Sequence, residues 1–67
     1  MRETATYRVP AMHCAHCERA VAEEILSLRG VEAVHVDLDA KVVTVTGQAL
    51  DDAALRAAIA EAGYEAA

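Results

Sequence analysis

Hydrophobic and polar positions divide this 67-residue chain into short blocks whose period switches between two and about 3.6. Thr4 to Val9 (TATYRV) is rich in threonine, tyrosine and valine. It stops at Pro10, which has no N–H for a ladder, and so predicts a first strand. Pro10 to Ala15 is a loop. From about Cys17 the period lengthens: Val21, Ile25 and Leu28 follow one another at spacings of four and three, a stripe along one helical face. Arg19, Glu23 and Ser27 lie away from that face, and Leu26 falls off the stripe and is expected at the surface. Arg29 is placed in the last turn, where a cation suits the helix dipole, and Gly30 ends the helix in the left-handed conformation.

The next block, Val31 to Leu38 (VEAVHVDL), alternates. Val34, Val36 and Leu38 point one way and His35 and Asp37 the other, which describes a strand with one buried face. After a short turn at Asp39-Ala40, Lys41 to Thr46 (KVVTVT) predicts a partner strand with Val43 and Val45 inward, and Gly47 ends it. Asp51 or Asp52 caps a second helix. Its buried stripe is Leu55, Ile59 and Ala62, with Ala58 beside it and Gly63 at its end. Tyr64 to Ala67 is expected to add a fourth strand. The order strand, helix, strand, strand, helix, strand predicts an α+β fold, the ferredoxin-like βαββαβ sandwich, with two helices on one face of a four-stranded antiparallel sheet. The other face, with Thr44, Thr46, His35 and Asp37, can meet water.

Size and charge narrow the function. A chain this short supports one domain, 1–67, with a thin core. The net charge of −5, the lack of a basic stripe and the near absence of aromatic residues argue against nucleic-acid binding. No stretch has the ~20 apolar residues of a membrane span, so no membrane insertion is expected. The N-terminus (MRETATYRVP) has no apolar signal core, and a cytoplasmic location is the expectation. The initiating methionine and short polar lead favour a free-standing protein.

The chemistry concentrates in residues 12–17, MHCAHC, which contain both cysteines and two of the three histidines. A disulfide across so short a loop would constrain the unfolded chain little. In a reducing compartment a close pair serves metal binding or redox chemistry. Cys14 is in the loop and Cys17 opens the helix. A spacing of three brings such side chains to one side of a turn, with Cβ atoms roughly 5–6 Å apart. Unpaired N–H groups at the helix start favour the thiolates that metals need. Two thiolates suit copper(I), whereas structural zinc wants four ligands. A Cys2His2 set with His13 and His16 would reach four, but side chains of adjacent residues usually point apart. His16, between the thiols, is the better third ligand or tuner; His13 is the alternative, and both can equally be solvated loop residues. Met12 is either a thioether ligand or, more commonly for such a residue, core support for the loop. His35 reads as a surface histidine. Tyr64 either packs after the second helix or shields the loop, because this topology brings the two together.

These residues resemble the heavy-metal-associated domain family, and within it the small bacterial copper chaperones. Met12-His13-Cys14-Ala15-His16-Cys17 matches the family's Met-x-Cys-x-x-Cys. Gly30-Val31 matches its Gly-Val pair after helix one. Val36-Asp37-Leu38 leading into Val43-Thr44-Val45 matches its central hairpin, and Ala62-Gly63-Tyr64 the end of its second helix. The chain departs from the family's usual residues at Ala11 and His13. The resemblance implies a non-catalytic carrier that binds Cu(I) through Cys14 and Cys17. It implies transfer by ligand exchange to the metal-binding domain of a copper-transporting P-type ATPase, and a copper-bridged homodimer is conceivable for an exposed thiol loop. The alternatives are a zinc or mercury domain, or a regulatory metal-binding domain of a transporter. A thiol–disulfide oxidoreductase also starts from a CxxC at a helix start. It fits poorly here, because no tryptophan flanks the pair and the order of elements differs.

Overall fold

The computed structural model describes residues 2–12 and 15–66, with Ala15 described by its backbone alone. The elements run β1 (Glu3–Arg8), α1 (Ala15–Leu26), β2 (Val31–Asp37), β3 (Val42–Gly47) and α2 (Asp52–Glu61). The strands form one antiparallel sheet in the order β1-β3-β2. The hairpin β2–β3 therefore places its second strand at the centre, where β1 pairs with its free edge: Tyr7 lies opposite Val43, and Val43 opposite Val36.

Alternation decides which face is covered. Tyr7, Val43 and Val45 point inward and are buried with Val21 and Ile25 of α1 and with Leu55, Ala58 and Ile59 of α2. Each large aliphatic side chain so enclosed contributes about 1.5–3 kcal/mol of transfer free energy, a substantial share for so small a chain. Val34, Val36 and Leu38 are half-buried at the border of this cluster. On the opposite face His35 and Asp37 are exposed as expected; on α1, Leu26 is 50% exposed. β2 carries a bulge at Glu32: Val31 pairs with Gly47 but Ala33 already pairs with Thr46. The extra residue lets both Val31 and Val34 face the core, a shift of alternation typical of bulges.

Two glycines meet where α1 returns to the sheet. Gly30 has φ +90°, and Gln48 donates a 2.9 Å hydrogen bond to its carbonyl. A Cβ on Gly47 would run into that same carbonyl. The helix itself ends at Leu26, and residues 27–30 form a turn. Arg29 therefore lies beyond the last helical turn, not within it. Asp51 caps α2, accepting from Ala53 N at 3.0 Å and Ala54 N at 3.5 Å.

The expected fourth strand is absent among the described residues. Tyr64–Ala66 are irregular, and the sheet has three strands among the described residues. The cause lies in how α2 stops. Gly63 (φ +94°) donates to Ala60 O at 2.9 Å and Tyr64 donates to Ile59 O at 3.2 Å. These are the two bonds of a Schellman closure. It turns the chain towards the β1–α1 loop, where Tyr64, Glu65 and Ala66 lie beside Pro10 and Ala11.

Candidate metal centre

The loop that precedes α1 is built from its ends inward. β1 stops at Arg8, and the next N–H, that of Val9, donates to Lys41 O at 2.8 Å. Pro10 has no donor to extend the ladder. Met12 N closes the turn back onto Val9 O at 3.0 Å. Val9 and Met12 are fully enclosed while Pro10 and Ala11 between them are exposed, so the loop is pinned to the core at both ends of this turn. The thioether of Met12 is one of the largest fully buried side chains.

His13 and Cys14, two of the expected site residues, lie outside the described residues. α1 begins at Ala15, two residues ahead of the start expected from the apolar pattern. Cys17, in its first turn, is only 6% exposed and belongs to the core cluster. It stands four and eight residues before Val21 and Ile25, so it continues their stripe by one turn. That extension was present in the sequence. His16 is exposed. Neighbouring side chains on an α-helix diverge by about 100°. A buried Cys17 and an exposed His16 follow from that divergence, and the histidine does not share the cysteine's face.

Electrostatics at this end combine the helix start with one cation. The first turn of α1 presents N–H groups that have no partner within the helix, a field that favours thiolate. Lys41, the chain's single lysine, donates from Nζ to the carbonyl of Met12 at 2.8 Å. The hydrophobic pattern gave no sign of this contact, because it joins the β2–β3 turn to a loop 29 residues away.

Tyr64 is half-buried against the core. With Gly63, Glu65 and Ala66 it faces Pro10 and Ala11 across a shallow depression of about 400 Å³. The Schellman closure thus brings the tyrosine beside the loop, as the topology suggested. A second depression, about 410 Å³, lies at the opposite end of α1 between Leu28–Val31 and Gln48–Leu55, remote from the cysteine. Among the described residues no cluster of three or more His, Cys, Asp and Glu could enclose a metal ion, and no helix is long and apolar enough to cross a membrane.

The model of the heavy-metal-associated domain matches residues 6–65. Copper chaperone CopZ of Bacillus subtilis is 40% identical over 68 residues, covering 97% of either chain. Heavy metal-associated isoprenylated plant protein 31 of Arabidopsis thaliana is 33% identical over 66 residues, and the chain spans 47% of that protein's length. Among solved structures, copper chaperone Atx1 from Synechocystis PCC6803, in a Cu2 form, superposes with a TM-score of 0.83 at 37% identity, covering 94% of this chain and 98% of that one.

Proposed function

This chain belongs to the heavy-metal-associated domain family, and from that premise we propose that it is a cytoplasmic copper(I) carrier in which Cys14 and Cys17 hold the ion as thiolates. The whole of residues 1–67 is read as one such domain. The observation that carries the reading is the position of Cys17. It sits in the first turn of α1, held by the core, at the spacing that lets a loop cysteine three residues earlier reach the same ion. Similarity to two copper chaperones over nearly the full chain supports it.

The chemistry is exchange, not catalysis. Copper(I) is soft and stable at low coordination number. An ion held by two sulfurs accepts a third from a partner, and one original bond can then break, so the cargo passes between thiolate pairs without entering water. The partner is read as the metal-binding domain of a copper-transporting P-type ATPase. A second copy of this chain can offer the same pair of sulfurs, which gives a copper-bridged dimer at high loading. A zinc reading needs two further ligands, and the divergence of His16 from Cys17 argues against a closed Cys2His2 set.

The test is an anaerobic titration of the reduced protein with copper(I) against a copper(I)-specific chelator, with zinc(II) as a parallel arm. Wild type should take one equivalent of copper(I), and Cys14→Ser with Cys17→Ser should take none. Zinc held more tightly than copper, and lost with His13 and His16, would replace copper by zinc as the cargo.

A further inference from the structure

Lys41 occupies a backbone position that lysine does not favour. Its φ is +58°, in the left-handed region, where any residue with a Cβ is less stable than glycine. The turn around it is otherwise well made. The Asp37 carboxylate accepts from Asp39 N at 3.0 Å and from Ala40 N at 3.1 Å, a local closure that aspartate supplies readily. Glycine at 41 would complete such a turn with less strain, so the turn itself gives no reason for a side chain there. Strain alone does not assign a role, since Ala49 shares the conformation; a use has to be found in what the side chain touches.

The side chain has one. Its ammonium grips the Met12 carbonyl at 2.8 Å, while its own backbone carbonyl receives the Val9 N–H at 2.8 Å. One residue thus holds the metal loop at two places, at the end of β1 and at the last described residue before His13-Cys14. Among the described residues Lys41 enters no ion pair; those that form involve Arg2, Arg19 and Arg56. No described carboxylate therefore neutralises the charge in place. Two thiolates and one copper(I) carry a net charge of −1, and a cation fixed on the backbone two residues before Cys14 offsets it.

We propose that Lys41 is a positioning residue for the metal loop, holding the Met12 carbonyl from the β2–β3 turn and setting a positive charge beside the thiolate pair. The inference rests on the copper(I) reading above. Its structural half, the hold on the loop, stands without metal.

The experiment compares Lys41→Gly, Lys41→Met and Lys41→Arg with wild type and with Arg29→Gln, which removes one positive charge at the far end of α1. Lys41→Gly relieves the backbone strain and deletes the grip, so loss of stability does not confound it; its thermal unfolding is run alongside. Copper(I) partition against the chelator should weaken by about tenfold in the glycine and methionine variants, the scale seen when a group that orients a metal ligand is removed. Lys41→Arg and Arg29→Gln should stay within about twofold of wild type on that scale. Lys41→Gly binding copper(I) as tightly as wild type overturns the proposal, and so does an equal loss in Arg29→Gln. In the metal-free protein, 15N relaxation of residues 11–17 supplies an independent readout. Motion that rises in the glycine and methionine variants and is restored by arginine supports the hold; unchanged motion overturns it. Wild type failing to bind copper(I) at all sinks the copper reading and leaves the relaxation arm to decide the role of Lys41.

Discussion

The Tyr7 hydroxyl donates a 2.6 Å hydrogen bond to Oδ1 of Asp52, across 45 residues of chain. Arg56 donates from Nε to the other carboxylate oxygen at 3.0 Å and lays its guanidinium over the Tyr7 ring, 5.2 Å from the centroid. The bond ties the first turn of α2 to β1. Burial, together with the bond to Asp52, raises the Tyr7 pKa to about 12. The same bond, followed by that from Arg56, lowers the Asp52 pKa. The signs are opposite. A raised tyrosine pKa gives stability that is full below pH 10 and lost as pH climbs from 10 to about 12. A lowered aspartate pKa gives stability that is present above its ordinary value of 3.8 and lost as pH falls through the depressed one. Unfolding free energies measured by denaturant from pH 8 to 12 should fall at the alkaline end by an amount on the order of 2 kcal/mol. Tyr7→Phe should flatten that decline and cost about 1 kcal/mol at neutral pH.

Gly47→Ala is expected to be strongly destabilising, because its Cβ would strike the Gly30 carbonyl, which is fixed by its bond to Gln48 N. Backbone has to move at the junction of α1, β2 and β3. A loss of about 2 kcal/mol or more, read by chemical denaturation, is the expected outcome. A neutral alanine variant would mean that this junction yields easily.

Ala49→Gly works in the other direction. Ala49 has φ +54°, and nothing in the structure explains an alanine there. Glycine should raise stability by up to about 1 kcal/mol, the left-handed penalty less the added entropy of the unfolded chain. The thermal midpoint would show it as a rise of a few degrees.

Met12 separates core support from ligation. Fully buried, it should tolerate Met12→Leu at a cost under about 1.5 kcal/mol, while Met12→Ala should cost about 2–5 kcal/mol. Copper(I) partition in Met12→Leu should stay within about threefold of wild type, well short of the 1.4 kcal/mol that marks a tenfold change. A much larger loss would make the thioether a ligand.

His16→Ala should also leave copper(I) partition within about threefold, because the ring is exposed while Cys17 turns inward. A tenfold loss in that assay would bring the imidazole to the ion despite the divergence of the two side chains.

Most of the fold could be read from local pattern. The period of two marked β2 and β3, with Val43 and Val45 correctly inward, composition and Pro10 marked β1, and the period of 3.6 marked both helices through Val21, Ile25, Leu55 and Ile59. Asp51 and Gly63 were legible as a cap and a stop because their roles depend on their own backbone and neighbours within a few residues; Gly30 is left-handed as expected, but α1 ends before it, at Leu26. The candidate site was legible in part. Cys17 lies in the first turn of α1 and Met12 in the core, where the sequence had put a helix start and a packing residue. His13 and Cys14 lie outside the described residues. Where the pattern failed, it failed at a distance: a fourth strand from Tyr64 onward was expected on topology, and the closure of α2 sent the chain elsewhere.

Sequence alone determined the elements that form, their order, the buried face of each and Cys17 at a helix start, since these follow from side-chain periodicity and short-range backbone preference. Tertiary structure alone decided which groups meet across long stretches of chain: Tyr7 with Asp52, Gly47 with the Gly30 carbonyl, and Lys41 with the Met12 carbonyl. Such contacts depend on strand order, a bulge and a turn geometry acting together. A residue's own neighbours carry no record of them, so the lysine beside the metal loop became visible only once the hairpin had been folded back onto β1.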